Sequence, residues 1–414
     1  MALNGTGLLS ATSYPKGGQV FINDKLTTVT DDTLYLSPAN YTIRIIKTGF
    51  HSWTKSFPIK PELVSTTDAR LFPTIASSTP LTFYQVSRPL VSPDGNHLAY
   101  ILSNSPFSQD NGIYVLSLSS NVILGNQIAQ IANMSVYDYT KAELVWSPDA
   151  TQILVVLHDD KKITFSHLLN SHSMNQAKNL VDTTIRLPLL LTQWQEQLGV
   201  VNKNNLSRLP NLMMQIATNS AVNVYFSPDR EKLLYTAKEN LDLPDNLLDK
   251  TVPSTNPTPQ TRKLVAGKTY VYDLKEDRNY PINEAAYDPK TEEPLITDGT
   301  LPSPTPTPTP PKNKAVIIQS ELDKTMKQLN LLRGQTDPHS TQNLSWYSTS
   351  RHLVVSSNTG VAMVEYDDNN LTPIISAQIN GDFAVSSTDG NHLTILSNLN
   401  QKPDIFNLIS LDLK

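Results

Sequence analysis

Val91-Ser92-Pro93-Asp94-Gly95-Asn96-His97-Leu98-Ala99-Tyr100 returns along the chain as Trp146-Ser147-Pro148-Asp149-Ala150-Thr151-Gln152-Ile153-Leu154-Val155 and as Phe226-Ser227-Pro228-Asp229-Arg230-Glu231-Lys232-Leu233-Leu234-Tyr235. Two degenerate copies follow, Trp346-Tyr347-Ser348-Thr349-Ser350-Arg351-His352-Leu353-Val354-Val355 and Ser386-Ser387-Thr388-Asp389-Gly390-Asn391-His392-Leu393-Thr394-Ile395. Each copy is an apolar residue, a tight turn, and a strand of large apolar and β-branched residues. Proline presets φ for the turn, and the Asp side chain caps its own reversal. A strand–turn–strand unit repeated along a chain marks radially arranged sheets, a β-propeller. That pattern identifies an architecture and not an activity.

The 414 residues exceed what one core usually supports, so two domains are expected. Hydrophobic residues make up 39% and charged residues 17%, and no apolar run reaches the ~18 residues that span a bilayer. The net charge of -5, with no Lys/Arg cluster, argues against nucleic acid as a partner. Cysteine is absent, which rules out disulfides, thiolate metal sites and a cysteine nucleophile. An Asn/Ser/Thr/Pro-rich composition with few charges points outside the cell. The first residues, Met1-Ala2-Leu3-Asn4, lack a basic and apolar leader. An export signal or membrane anchor upstream of Met1 is therefore expected in the native protein.

Residues 5–73 alternate with period two between Gly, Pro and Asn clusters, as in Gln19-Val20-Phe21-Ile22-Asn23 and Tyr41-Thr42-Ile43-Arg44-Ile45-Ile46-Lys47. This predicts a small antiparallel β-sandwich. The stretch Pro15-Lys16-Gly17-Gly18, followed by Val20-Phe21-Ile22-Asn23, resembles the name motif and first strand of the PEGA domain. Pro38-Ala39-Asn40-Tyr41-Thr42-Ile43-Arg44-Ile45 with Gly49-Phe50 matches its later strand. Lys16 and Gly18 depart from the motif. The resemblance implies a non-catalytic extracytoplasmic module with a turn at Pro15, Gly17 and Gly18, often beside a membrane anchor.

Residues 74–80 read as a Pro/Ser/Thr linker and 81–414 as the propeller. The Ser-Pro-Asp-Gly phrase resembles that of TolB-like and dipeptidyl-peptidase-type propellers, which implies a bacterial surface or periplasmic setting. Two insertions interrupt it, at about 240–261 and 288–341. Without them roughly 260 residues remain, or about six blades at ~40–45 residues each, with five or seven as alternatives. The sixth blade is expected at Leu191-Thr192-Gln193-Trp194-Gln195-Glu196-Gln197-Leu198-Gly199-Val200-Val201, with its turn lost. The second insertion holds a Pro-Thr arm, 302–311, which cannot form helix or central strand. Beyond it 320–333 is spaced for a helix, read either as a partner-docking element or as a helix laid on the propeller flank.

No Gly-x-Ser-x-Gly elbow, phosphate loop, dinucleotide fingerprint or His-Glu-x-x-His helix occurs. His97, His352 and His392 recur just after equivalent turns, which suits turn packing better than metal ligation. Asp110-Asn111-Gly112 and Asp367-Asp368-Asn369-Asn370 read as hairpin turns without the spacing of a calcium loop. The residues singled out are structural: Ser92, Pro93, Asp94, Ser147, Pro148, Asp149, Ser227, Pro228, Asp229, Asp389 and Gly390. No catalytic, metal or cofactor residue and no cofactor is expected. The functional expectation is a non-catalytic surface protein that binds, adheres or scaffolds through the propeller, with an unknown protein or glycan of the cell envelope as partner. Two alternatives stand beside it. One is an envelope carbohydrate-active or peptide-hydrolysing enzyme using axial carboxylates such as Asp138, Glu143 and Asp382. The other is a periplasmic TolB-like partner of an envelope complex.

Overall fold

The computed structural model describes residues 5–119, 128–159, 162–248, 256–283, 314–336, 343–399 and 405–414. The chain is mostly β-structure. Its N-terminal part packs a four-stranded sheet against a three-stranded one. The first runs Lys25–Val29, Gln19–Ile22, Ala39–Ile46, Trp53–Ile59, and the second Asp32–Leu36, Gly7–Ala11, Val64–Thr66. Alternation drives this packing, because every second residue of each strand can enter a common core. Leu9, Ala11, Val20, Ile43, Ile45, Trp53 and Phe57 do so. The arrangement is not wholly antiparallel. Gly7–Ala11 pairs in parallel with Val64–Thr66, and Ser13–Tyr14 with Ala69–Arg70. The chain changes sheets after Ile59 and returns in the direction of the first strand.

Five larger sheets follow, the first four of them meanders, with a two-stranded ribbon of Leu241–Asp242 and Lys263–Leu264 beside the third. Sheet I is Gln85–Val91, His97–Ser103, Gly112–Ser117 and Ile128–Asn133. Sheet II has three strands, Glu143–Trp146, Gln152–His158 and Ile163–Asn170. Sheet III is Ala221–Phe226, Lys232–Ala237, Thr269–Asp273 and Arg278–Ile282, and sheet IV is Leu344–Trp346, His352–Ser357, Gly360–Glu365 and Thr372–Ser376. Sheet V takes Ile379–Ser386, His392–Ser397 and Asn407–Asp412 from the end of the chain and Ser78–Pro80 from before sheet I. The stretch 74–80 therefore ends in a strand that ties the two ends of this region together, beyond the linker role expected for it.

Apolar clusters bridge sheets I and II, III and IV, IV and V, and V and I. Helices stand between II and III. Helix α1 (Leu187–Leu206) buries Leu187, Leu191, Trp194 and Leu198 against sheet II together with Leu329 and Leu332 of a later helix. A short α2 (Asn211–Gln215) packs on sheet III, and the later helix is α3 (Lys314–Thr336). Tyr225 of sheet III donates from its Oη to the Gly334 carbonyl of α3 at 3.0 Å.

Two expectations are corrected here. The fold is not all-β, and Leu191–Val201 is helix, not a sixth set of strands. The buried residues 187, 191, 194 and 198 recur with a spacing near 3.6, so one face of a helix meets the core. Pro188 adds a favourable first-turn position. Helix α3 includes 320–333 and lies against α1 and the strand Glu143–Trp146, while the Pro-Thr arm 302–311 lies outside the described residues.

Candidate functional site

The repeated turns form one microstructure. Ser92 Oγ donates to Asp94 at 2.5 Å and accepts from the His97 amide at 2.9 Å, while Asp94 also accepts from the Asn96 amide at 3.1 Å. Ser147 with Asp149 and Ser227 with Asp229 repeat this at 2.6 and 2.5 Å, and Ser387 with Asp389 at 2.6 Å. The fourth residue of each turn is left-handed, at φ 72° for Gly95, 58° for Ala150, 60° for Arg230, 60° for Ser350 and 67° for Gly390. Pro93, Pro148 and Pro228 precede the Asp in three of the turns. The degenerate copy replaces the serine with Tyr347, whose Oη donates to the Gly390 carbonyl of the next turn. These residues shape and link turns. They do not converge on a ligand.

The tryptophans ahead of the turns tie neighbouring sheets together. Trp146 Nε1 donates to the Leu90 carbonyl at 2.9 Å, and Trp346 Nε1 to the Tyr225 carbonyl at 3.1 Å. Four residues before the turn serines stand Arg88, Glu143 and Asn223, on the first strands of sheets I, II and III. Arg88 and Asn223 are left-handed and sit at β-bulges, which re-aim side chains. Glu143 is buried and meets Arg88 and Arg333 of α3 at 2.5 Å each. Of the carboxylates nominated as axial, Glu143 is thus paired with two arginines. Asp138 accepts from its neighbour Thr140 on the surface, and the Asp382 side chain lies outside the described residues.

An ionisable cluster lies where the N-terminal domain meets sheets III and IV, around a cleft of about 250 Å³. Lys55 Nζ stands 2.9 Å from Glu365 and 2.5 Å from Asp367. Trp53 Nε1 donates to the other oxygen of Glu365, and Asn370 donates to the same atom at 3.0 Å. Asn256 and Thr258, within the first insertion, donate to Asp367 at 2.7 and 2.6 Å. Burial works against the Lys55 ammonium, but the two carboxylates outweigh it and hold Lys55 above its ordinary value. The same ammonium, with these hydrogen bonds, keeps Asp367 below the usual carboxylate range despite burial.

At the cleft wall Lys232 lies 3.9 Å from Asp273 and over the Tyr366 ring. His352 is fully enclosed against Phe72 and Tyr347, and burial pushes it down to about 3. Arg70 donates to the Gly390 carbonyl at 2.5 Å and Arg351 pairs with Asp68 at 2.6 Å, fastening the domain to sheets IV and V.

Neither Lys55 nor Glu365 was singled out in the sequence, and Asp367 was read only as part of a hairpin turn. One signal was present: Lys55 shares the inward face of its strand with Trp53, Phe57 and Ile59, so its charge demanded a buried partner. Pro15, Gly17 and Gly18 lie at a surface turn. Gly17 has φ 81°, and a Cβ on Gly18 would stand 2.7 Å from Ile45. His97 and His392 begin second strands like His352, and His97 packs beside Trp146 and His172. Among the described residues no group of three or more His, Asp or Glu side chains could hold a metal ion. No described helix is long and apolar enough to cross a membrane.

No family model matches the chain, and no curated protein matches it. Among solved structures it is similar to a putative TolB from Agrobacterium tumefaciens, with 13% identity, coverage of 79% of this chain and 73% of that one, and a TM-score of 0.21. TolB from Acinetobacter baumannii gives 11% identity, 90% and 59% coverage and 0.19. An acylaminoacyl peptidase from Pyrococcus horikoshii gives 11%, 78% and 36%, and 0.19. The chain spans less than two thirds of the last two. At TM-scores near 0.2 none of these backbones superposes on this one as a whole, so the chain's own residues decide the functional reading.

Proposed function

We propose that this chain is a non-catalytic, extracytoplasmic binding or scaffolding module, in which sheets I to V are blades of a five-bladed β-propeller. The helical pair α1 and α3 fills the sector between II and III, and the PEGA-like domain is fixed to blades IV and V. The cyclic order of apolar clusters and the strand Ser78–Pro80 in the last sheet support the closed ring. The observation that carries the functional reading is the use of the buried charges. Lys55 is shared by Glu365 and Asp367 across the domain boundary, and Glu143 is held by two arginines. Groups committed in this way fix a frame, whereas a general acid or base must exchange its proton with substrate. A rigid ring with one accessory domain bolted on presents its loops in a fixed geometry, which suits recognition.

The test is binding of the purified, fluorescently labelled chain to intact envelope preparations, run beside glycosidase and peptidase assays on the same sample. Saturable binding with no turnover supports the module. Turnover that copurifies with the chain and is lost on its heat denaturation would establish the hydrolase instead.

A further inference from the structure

Sheet II is the only one of the five sheets with three described strands, and its outer edge is not left bare. In an antiparallel strand the N–H and C=O of one residue point the same way, and alternate residues face the free side. On Ile163–Asn170 the outward residues are Ser166, Leu168 and Asn170. Ser166 is pinned by the following loop: its amide donates to Thr184 Oγ1 and its carbonyl accepts from the Thr183 amide, each at 2.8 Å. Asn170 is pinned by Asn175, whose Oδ1 and Nδ2 take its amide and carbonyl at 2.9 Å each. Between the pins the loop stands away, and Leu168 borders a cavity of about 490 Å³. No described group pairs with the outward N–H and C=O of Leu168. The walls are Met174, Leu180 and Val181 with the amides of Asn175, Gln176 and Asn179, so the lining carries no charge. Met174 and Val181 are 46% and 73% exposed.

We infer that this cavity is a peptide-binding site, which takes one extended residue of an uncharged peptide as a β-bridge to Leu168. An extended residue presents an N–H and a C=O on the same side, matching the Leu168 pair in both bonds. The single trans amide of an N-acetyl sugar points its two groups in opposite directions and can meet only one. The pins at Ser166 and Asn170 lie ~13 Å apart, which limits the engaged segment to a chain end or loop tip. Ionised side chains would enter an uncharged, partly enclosed space, so the ligand is neutral. This site names the partner chemistry for the recognition role above and rests on that reading.

The experiment uses the full chain and a set of capped, dye-labelled neutral tetrapeptides alternating Thr or Asn with Val, read by fluorescence anisotropy. The expected result is saturable binding that weakens at least tenfold when the central peptide nitrogen is methylated. Asn179→Trp and Gln176→Trp, each placed at the exposed rim and checked for folding by circular dichroism, should weaken it as much. N-acetylglucosamine should not compete. The site is refuted if the methylated and parent peptides bind alike, if both Trp variants bind as wild type, if the sugar competes, or if no peptide binds at millimolar concentration. Loss of peptide binding with envelope binding retained would remove this site and leave the broader role standing.

Discussion

Ser147 shows how little of each repeated turn is decorative. Its Oγ donates to Asp149 and accepts from the Gln152 amide, inside a residue that is almost fully enclosed. Ser147→Ala leaves the Gln152 amide without its acceptor and a carboxylate short of one donor, a loss of about 1 kcal/mol. Chemical denaturation should record that loss, and the same substitution at Ser227 should match it. A neutral result at both sites would mean that proline alone sets these turns. The motif was legible in the sequence because its work is done within six residues, where spacing dictates contact. The two most enclosed histidines give a pH prediction at this scale. His352 and His167 are held at about 3 and about 4 by burial, against an ordinary 6.5. Above pH 6.5 both are neutral in folded and unfolded chains and contribute nothing to the slope. As pH falls from 6.5 towards 4, the unfolded chain gains protons that the folded one refuses, so stability drops. Each histidine supplies up to about 1.4 kcal/mol per pH unit in that window. His352→Asn should reduce proton uptake on unfolding at pH 5 by one, measured by denaturant titrations at several pH values, and an unchanged slope would contradict the burial argument.

Among the elements, α1 stands where a strand-based reading placed another sheet, whereas α3 falls on the stretch spaced for a helix. Leu, Val and Trp in 191–201 suit either structure when taken singly. Only their recurrence near every third or fourth residue separates helix from strand, and that period was present in the chain. The partner of α1 was not legible, because α3 is more than a hundred residues away and follows the Pro-Thr insertion. Leu329 and Leu332 bring α3 against α1, and the Arg333–Glu143 pair ties α3 to sheet II. Glu143 is 5% exposed and faces two guanidinium groups, so Glu143→Gln removes a buried carboxylate that both arginines meet. The expected cost is about 3–5 kcal/mol, the range for breaking a buried pair. Arg333→Ala should cost less, since Arg88 still neutralises the carboxylate. Combining the two should give less than their sum, because each removes the same interaction. Hydrogen exchange along α3 is the direct readout. Faster exchange confined to α3 and α1 is expected, and uniform exchange across all sheets would mean that the clamp does not hold the helices in particular.

At the scale of the whole molecule, the boundary between the N-terminal domain and the sheets is a polar, buried junction, which a sequence cannot display. Lys55 and its partners Glu365 and Asp367 are about 310 residues apart, and no local pattern couples them. What remained legible was the odd lysine on an apolar strand face, a charge that required an opposite one somewhere. The physics of such junctions is asymmetric. The intact triad roughly offsets its own desolvation, whereas removing one member strands the others in a low dielectric. Lys55→Met takes away the ammonium that pairs with both Glu365 and Asp367 and leaves two buried carboxylates in mutual repulsion. A loss of about 3–5 kcal/mol at the junction is expected. The domain should then swing on 74–77, raising the radius of gyration in solution scattering and opening that stretch to protease. The triple variant Lys55→Met, Glu365→Gln, Asp367→Asn carries no stranded charge and should stay docked, with wild-type scattering. If the single variant remains as compact as wild type, the ion cluster is incidental. Docking would then rest on Arg70, Phe72 and Tyr347.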